Sequence, residues 1–324
     1  MHPAFSVIFL TTLIGAGQGL FLALYTGQVY NTFGVVGDAA PSSLYIAGTF
    51  LVLVLMGLGL FASFFHLGRP ERAWRAATKW KTSWLAREVI VLPAFSGMAF
   101  IWGALHYFNI DPVLVTTGTV DISLSLVVGL LAGLLALLLY LCTGMIYAAI
   151  KFIQEWASPL TVINYTLLGL ASGFSLAAAL AAWFGSSLTN AYAGWTLVFT
   201  LVGFGTRMFS LYRNGRIKRK STACTAIGVR HPKIRQISQG AMGGSFNTRE
   251  FFHHKSPQFV QTVKVFFLIT VFIVPITLVV IGWSNHLFTL LAAAALVQYV
   301  GLLAERWFFF AQANHPQNLY YQAT

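Results

Sequence analysis

The sequence predicts an all-α integral membrane protein, a bundle of eight transmembrane helices in a single membrane-anchor domain, residues 1–324. The composition supports this class, because 57% of the residues are hydrophobic and only 9% are charged. Eight apolar segments each reach the length of about 20 helical residues that crosses about 30 Å of hydrocarbon. Their continuous apolar character, without strand alternation, favours helices. They are residues 6–30, 44–66, 85–107, 121–149, 161–183, 191–211, 260–283 and 286–309.

The distribution of the 20 Lys and Arg residues predicts the orientation of the bundle. Counting crossings puts the connections after the second, fourth and sixth segments on the same side as both termini, and these connections carry most of the basic residues. The charged residues of the opposite connections are only Asp38 and Asp111, and Asp121 lies at the start of the fourth segment. The positive-inside rule therefore predicts a cytoplasmic N-terminus and C-terminus. The other basic residues are expected at helix ends on that side: Arg87, Arg207, Lys264 and Arg306.

The residues after the second segment predict a short structure at the membrane surface. Gly68 is expected to cap the second helix, and Pro70 is expected to open a short helix over 71–80. Trp74, Trp80 and Trp84 have the positions of aromatic residues at the headgroup level. Ser83 is then the expected N-cap of the third helix.

This arrangement predicts that His66, Glu88, Arg72 and Arg87 lie at one depth near the cytoplasmic surface. A membrane quinone needs hydrogen-bond donors for its carbonyl oxygens and a group that exchanges protons near neutral pH, and histidine suits the second role. Without further information, an isolated His and Glu more often have a structural role than a role in binding. In that alternative His66 contacts a carbonyl group, and Glu88 forms an ion pair with Arg87 or Arg72.

The motif His66-Leu67-Gly68-x-Pro70-x-Arg72-Ala73, followed by Thr82-Ser83-Trp84-Leu85-x-Arg87-Glu88, resembles the membrane anchor subunit of dimethyl sulfoxide reductases. The N-terminal residues 2–9 and the late Glu305-Arg306-x-Phe308-Phe309 also resemble that family. The resemblance implies that His66 and Glu88 bind quinone, with Arg72 and Arg87 as weaker correspondences. Further candidates for the pocket are Gly68, Arg69, Trp84 and Asn164.

The same resemblance implies a three-subunit complex in the bacterial inner membrane. The partners are a catalytic subunit with a molybdenum pterin cofactor and a subunit with four iron–sulfur clusters, and ubiquinone and menaquinone stay open as the quinone. With the basic side in the cytoplasm, the anchor is most similar to that of a cytoplasmically oriented sulfite dehydrogenase. A reductase of dimethyl sulfoxide or another oxyanion remains the alternative, and a membrane anion transporter is the alternative of a different class.

Residues 212–259 form the only long polar connection and are expected to dock the iron–sulfur subunit. The alternative is a basic loop that lies on anionic headgroups, which also accounts for the net charge of +12 without a nucleic-acid partner. The docking residues expected here are Arg213, Arg216, Lys218, Arg219, Arg230 and Arg235.

The histidines and cysteines predict neither a metal centre nor a haem in this chain. Cys142 and Cys224 lack the further thiolates that a cluster requires, and a disulfide is not expected. No histidine lies in the middle of a span. If a haem were bound, His106 and His286 would be the remaining candidates for its two axial ligands. Gln18, Gln298 and Asn164 are expected to form hydrogen bonds between helices, and the glycines of the spans to allow close packing.

Overall fold

The computed structural model describes residues 1–36, 39–118, 120–231, 233–238, 246–285 and 287–321. A π-helical turn, Ile269–Ile273, joins two of the helices end to end. In chain order the helices are α1 (Phe5–Thr32), α2 (Ser42–Ser63), α3 (Trp84–Phe108), α4 (Leu124–Ala148), α5 (Pro159–Trp183), α6 (Leu188–Gly215), α7 (Ala223–Ile227), α8 (Phe246–Glu250), α9 (Pro257–Leu268), α10 (Val274–Ser284) and α11 (Phe288–Ala311).

Seven helices in the described part of the protein are long and apolar enough to cross a membrane, which confirms a multi-pass membrane protein. The α9–α10 rod, Pro257–Ser284, counts as one of them. Helix α6 matches the predicted segment 191–211 and has 28 residues, but it is not among the seven. It contains Arg207 and several threonines and glycines, which lower its apolar character.

Helix α1 is the most buried of the seven and packs against α2, α4, α5 and α11. Its crossing with α5 brings the two backbones into contact, since a Cβ added at Gly173 would overlap the backbone of Gly19 and Leu20. The expectation of close packing at the glycines is therefore confirmed at Gly19. Small residues are what such a close crossing requires.

Both termini and three connections lie together on one side of the bundle. The backbone amide of His2 donates to the carbonyl of Glu250, and the side-chain amide of Asn318 donates to the carbonyl of Phe251. The side chain of Arg213 donates to the carbonyl of Gln154. We call this surface the basic face and define it as the described residues of 1–4, 64–83, 149–158, 216–256 and 312–321.

The opposite face contains a hairpin that was not predicted from the sequence. Strands β1 (Val113–Thr117) and β2 (Val120–Ser123) form an antiparallel hairpin before α4. Asp111 accepts hydrogen bonds from the backbone and the hydroxyl of Ser125, and Ser125 in turn accepts one from Gln28. Asp38 lies outside the described residues.

The π-helical turn is an irregularity that the sequence did not predict. Such turns leave backbone groups without their usual helical partners. The carbonyl of Val271 in this turn accepts a hydrogen bond from Gln298, which also donates to Thr200. The predicted interhelical role of Gln298 is therefore confirmed.

Candidate functional site

The interfacial segment, residues 64–83, joins α2 to α3 on the basic face. It contains two 3₁₀ helices, Phe64–His66 and Pro70–Lys79, so the predicted short helix exists with a tighter winding. Ser83 is the N-cap of α3, as expected, because its hydroxyl accepts from the amide of Ala86 at 3.3 Å. The expected capping by Gly68 is wrong. Helix α2 already ends at Ser63, and Gly68 does not adopt the left-handed conformation that such a cap uses.

His66 and Glu88 lie at the basic-face ends of adjacent helices. His66 is exposed and its imidazole has no hydrogen-bond partner among the described residues. Glu88 lies about one turn inside α3 and is directed towards α4, where the Thr143 hydroxyl donates to its carboxylate at 2.5 Å. Glu88 therefore pairs with neither Arg87 nor Arg72, the structural alternative that the sequence left open.

Arg87 stabilises the corner between the interfacial segment and α3. Its guanidinium donates to the carbonyls of Trp80 and Lys81, both at 2.9 Å, and lies 4.2 Å from the centre of the Trp84 ring. Its donors are thus directed away from Glu88. Arg72 is exposed and lies 3.8 Å from the carboxylate of Glu71, and Arg69 is exposed as well.

A second group of polar side chains lies between α5, α6 and α11, and we call it the polar cluster: Asn164, Tyr165, Arg207, Glu305 and Arg306. Arg207 and Glu305 are each only 2% exposed and form an ion pair at 2.8 Å. Arg306 is 6% exposed, and its guanidinium lies 4.0 Å from the other oxygen of Glu305. Two guanidinium groups therefore share one carboxylate inside the bundle.

The polar cluster was not recognised in the sequence. Arg207 and Arg306 were expected at helix ends, but Arg207 lies about two turns inside α6 and Arg306 more than one turn inside α11. The available signal was the presence of three charged residues within apolar helices, which is costly in a membrane and usually functional. Asn164, a candidate for the quinone pocket, lies in this cluster.

Small cavities flank the polar cluster. One cavity of about 10 Å³ is lined by Asn164, Arg207 and Glu305, and another of about 10 Å³ lies on the α1 side of Glu305. Two wider clefts open on the basic face, with volumes of about 390 and 500 Å³. The cavity beside Asn164 borders both clefts. Glu155 lines this cavity and the 390 Å³ cleft, and Gln312 lines this cavity and the 500 Å³ cleft.

The predicted docking residues differ in their surroundings. Arg213 is engaged within the protein, since its guanidinium donates to the carbonyls of Gln154 and Ala157. Arg216 stacks on Tyr212 at 4.1 Å, and the connection contains the short helices α7 and α8. The remaining docking residues are exposed on the basic face: Lys218, Arg219, Arg230 and Arg235.

The described residues contain no group of three or more His, Cys, Asp or Glu side chains that could hold a metal ion. Cys142 and Cys224 are free thiols, so no disulfide joins them. His106 stacks on Tyr45 at 4.8 Å, and its proposed haem partner His286 lies outside the described residues.

The C-terminal tail contains a histidine, His315, that packs against the long basic connection. Nδ1 of His315 accepts a hydrogen bond from the amide of Gln317, and its ring stacks on Phe251 at 3.8 Å. Burial lowers the pKa of His315, and the nearby N-terminal amine lowers it further. The folded tail therefore favours the neutral imidazole, and this stability is lost as the pH falls below the unfolded value of about 6.5.

We expect that lowering the pH from about 7.5 to about 5.5 speeds amide hydrogen exchange in residues 315–321, because protonation removes the acceptor on His315. Exchange mass spectrometry on the solubilised protein measures this, after correction for the intrinsic pH dependence of exchange. His315→Phe retains an aromatic ring and should show a much smaller change. An equal response in both proteins would exclude His315 as the titrating group.

Three similarities to known proteins bear on this site. The family model of the DMSO reductase anchor subunit (DmsC) matches residues 1–320. Over 324 residues the protein is 51% identical to the C subunit of the sulfite dehydrogenase of Allochromatium vinosum, a match that covers 100% of this sequence and 99% of the relative. Over 177 residues it is 26% identical to a chain of the anaerobic dimethyl sulfoxide reductase of Haemophilus influenzae, a match that covers 54% of this sequence and 57% of the relative.

Proposed function

Because the chain belongs to the DMSO reductase anchor subunit family, we propose that it transfers electrons between an iron–sulfur subunit and membrane quinone in a molybdenum enzyme complex. The observation that carries the proposal is the position of Glu88. Its carboxylate lies just inside a membrane-spanning helix and accepts a hydrogen bond from a hydroxyl group. Exposed His66 ends the neighbouring span. Two proton-exchanging groups at the edge of the apolar region suit a quinone headgroup.

The substrate of the complex is proposed from the relatives. The sulfite dehydrogenase relative matches the whole sequence at 51% identity, whereas the dimethyl sulfoxide reductase relative matches about half of it at 26%. Sulfite and water then give sulfate, two protons and two electrons in the catalytic subunit. The electrons pass through the iron–sulfur subunit, and one quinone takes up both of them with two protons.

The residues of the site have separate proposed roles. His66 donates a hydrogen bond or a proton to a quinone oxygen, and Glu88 exchanges protons with His66 or with the quinone. Arg72 adds positive charge at the entrance to the proposed quinone site. Arg87 acts through its hydrogen bonds to the interfacial segment, which position α3 and with it Glu88.

The proposed topology has eight spans, with α6 as the eighth. A helix of 28 residues is about 42 Å long, which is enough to cross the hydrocarbon. Since the basic face carries the long connection and both termini, the positive-inside rule puts this face in the cytoplasm. The iron–sulfur and molybdenum subunits are then cytoplasmic partners that dock on the basic face.

The experiment that tests the proposal uses the complex purified with this chain. With sulfite as electron donor it should reduce a short-chain ubiquinone or menaquinone, and the complex without this chain should retain only dye-linked sulfite oxidation. If reduced quinone is oxidised by dimethyl sulfoxide while sulfite is inert, the complex is a reductase. Purification of this chain without any molybdenum or iron–sulfur subunit would contradict the proposal.

Docking through the basic connection gives a further prediction. Changing exposed Lys218 and Arg219 to Glu should weaken binding of the iron–sulfur subunit about tenfold at low salt, because it reverses charges that steer association. Lys218→Arg with Arg219→Lys keeps both positive charges at the same two positions and is the matched control. Binding of the purified subunit to the anchor in nanodiscs measures both, and equal losses would contradict docking at this connection.

A further inference from the structure

The polar cluster contains more charge and more unpaired polar atoms than its own contacts satisfy. Two guanidinium groups face one carboxylate, so the group carries a net positive charge inside the bundle. Nε of Arg207, Nε of Arg306, Oε2 of Glu305 and Oδ1 of Asn164 are buried without a hydrogen-bond partner. An unpaired buried polar atom is destabilising, and an unpaired charged group is more so. Such atoms in proteins are usually satisfied by buried water.

The space for water is present on both sides of Glu305. Each of the two cavities has a volume of about 10 Å³, which corresponds to about one water molecule. Glu305, Arg306, Tyr165 and Leu168 line both cavities, so the two cavities share one wall, in which three of the four side chains are polar. The first cavity also reaches Glu155 and Gln312, which line the open clefts of the basic face.

The other end of this series of polar groups is Glu88. Tyr165 donates its hydroxyl proton to the carbonyl of Thr11, and Thr143 on α4 neighbours the same hydroxyl. Thr143 donates in turn to Glu88. Glu88 and Arg306 both act electrostatically on Tyr147 and Tyr165, so the two charged groups share one region of the interior.

We propose that the polar cluster, Tyr165 and Thr143 hold a chain of buried water molecules that carries protons between Glu155 on the basic face and Glu88. The inference rests on the proposed reaction of quinone near Glu88. Each quinone that accepts two electrons also takes up two protons, and the water route replaces the protons that leave Glu88 with protons from the water on the basic face. Glu305 and the arginines act as positioning residues for the water.

Several ionisable groups face this route and contribute to its pH dependence. Around Glu88 they are Arg87 on its own helix, Cys142 and Tyr147 on α4, and Tyr165 on α5. Around Glu305 they are Arg207 on α6, Arg306 on α11 and, across the first cavity, Glu155. A pH profile of quinone reduction therefore reports the route as a whole.

The test removes single hydroxyl groups from the route at nearly constant volume. Tyr165→Phe and Thr143→Val should each lower the kcat of quinone reduction about tenfold at alkaline pH, as the loss of a positioned proton-transfer group does. The loss should shrink towards acidic pH, and the KM for quinone and the dye-linked rate should stay unchanged. Tyr192→Phe and Thr196→Val remove buried hydroxyls outside the route and should leave the rate unchanged.

The outcomes separate this inference from the proposed function. If Glu88→Gln stops quinone reduction while Tyr165→Phe and Thr143→Val behave like the two controls, the proton route is wrong and the quinone site stands. If neither Glu88→Gln nor His66→Ala has an effect, the quinone site itself is wrong. A density map of the complex that resolves water should show it between Glu305, Arg306 and Asn164, and dry cavities there would also overturn the route.

Discussion

Glu88→Gln is expected to lower sulfite-driven quinone reduction by about 100-fold or more, the range over which a positioned acid or base contributes. The amide oxygen of Gln still accepts the hydrogen bond from Thr143, so the packing of α3 on α4 is preserved. It cannot exchange a proton, however. Initial rates with a short-chain quinone, measured beside dye-linked sulfite oxidation, give the effect on the quinone step alone.

Glu71→Gln is the matched control, because Glu71 is an exposed carboxylate of the interfacial segment, 3.8 Å from Arg72. It should retain nearly full quinone reduction. His66→Ala should resemble Glu88→Gln and leave the dye-linked rate intact. Full quinone activity in both His66→Ala and Glu88→Gln would place the quinone elsewhere in the bundle.

Gly173→Ala is expected to destabilise the folded bundle by about 3 kcal/mol, the upper part of the range for overpacking. The added Cβ overlaps the backbone of Gly19 and Leu20, and a backbone cannot rotate away as a side chain can. Helices α1 and α5 would have to separate. Thermal unfolding in detergent, followed by the loss of the monodisperse peak in size-exclusion chromatography, measures the change.

Gly194→Ala in α6 is the control for this substitution, since a Cβ at Gly194 meets no atom within 4 Å. Alanine also favours a helix more than glycine does. Gly194→Ala should therefore unfold at the same temperature as the parent or slightly higher. A Gly173→Ala protein as stable as Gly194→Ala would mean that the crossing of α1 and α5 tolerates a wider separation.

Hydropathy was sufficient to predict the long helices, because a helix needs about 20 consecutive apolar residues to cross the bilayer. The predicted segment 161–183 corresponds to α5, Pro159–Trp183, and 85–107 to α3, Trp84–Phe108. The hairpin before α4 was missed, although Val113 and Val115 favour strands and Gly118 adopts a positive φ of 62°. The π-helical turn was not predicted either, and the side chain that bonds its Val271 carbonyl, Gln298, lies 27 positions away in the sequence.

The site was predictable only in part. Local sequence gave the cap at Ser83 and the position of Glu88 at the start of α3, since both depend on neighbouring residues. The partner of Glu88 was not predictable, because Thr143 lies 55 positions later and meets it only through packing. The same is true of Arg207 and Glu305, which belong to different helices and form an ion pair only in the folded bundle.

The central position of α1 has a consequence for how the protein is made. Helix α1 leaves the ribosome first, but its neighbours α5 and α11 begin only at Pro159 and Phe288. At about 5–20 residues per second, roughly 10–50 s of synthesis separate α1 from α11. During this interval the surface of α1 that later contacts α11, including Thr12, faces lipid or the insertion machinery, so biogenesis of this protein requires a temporary neighbour for its first helix.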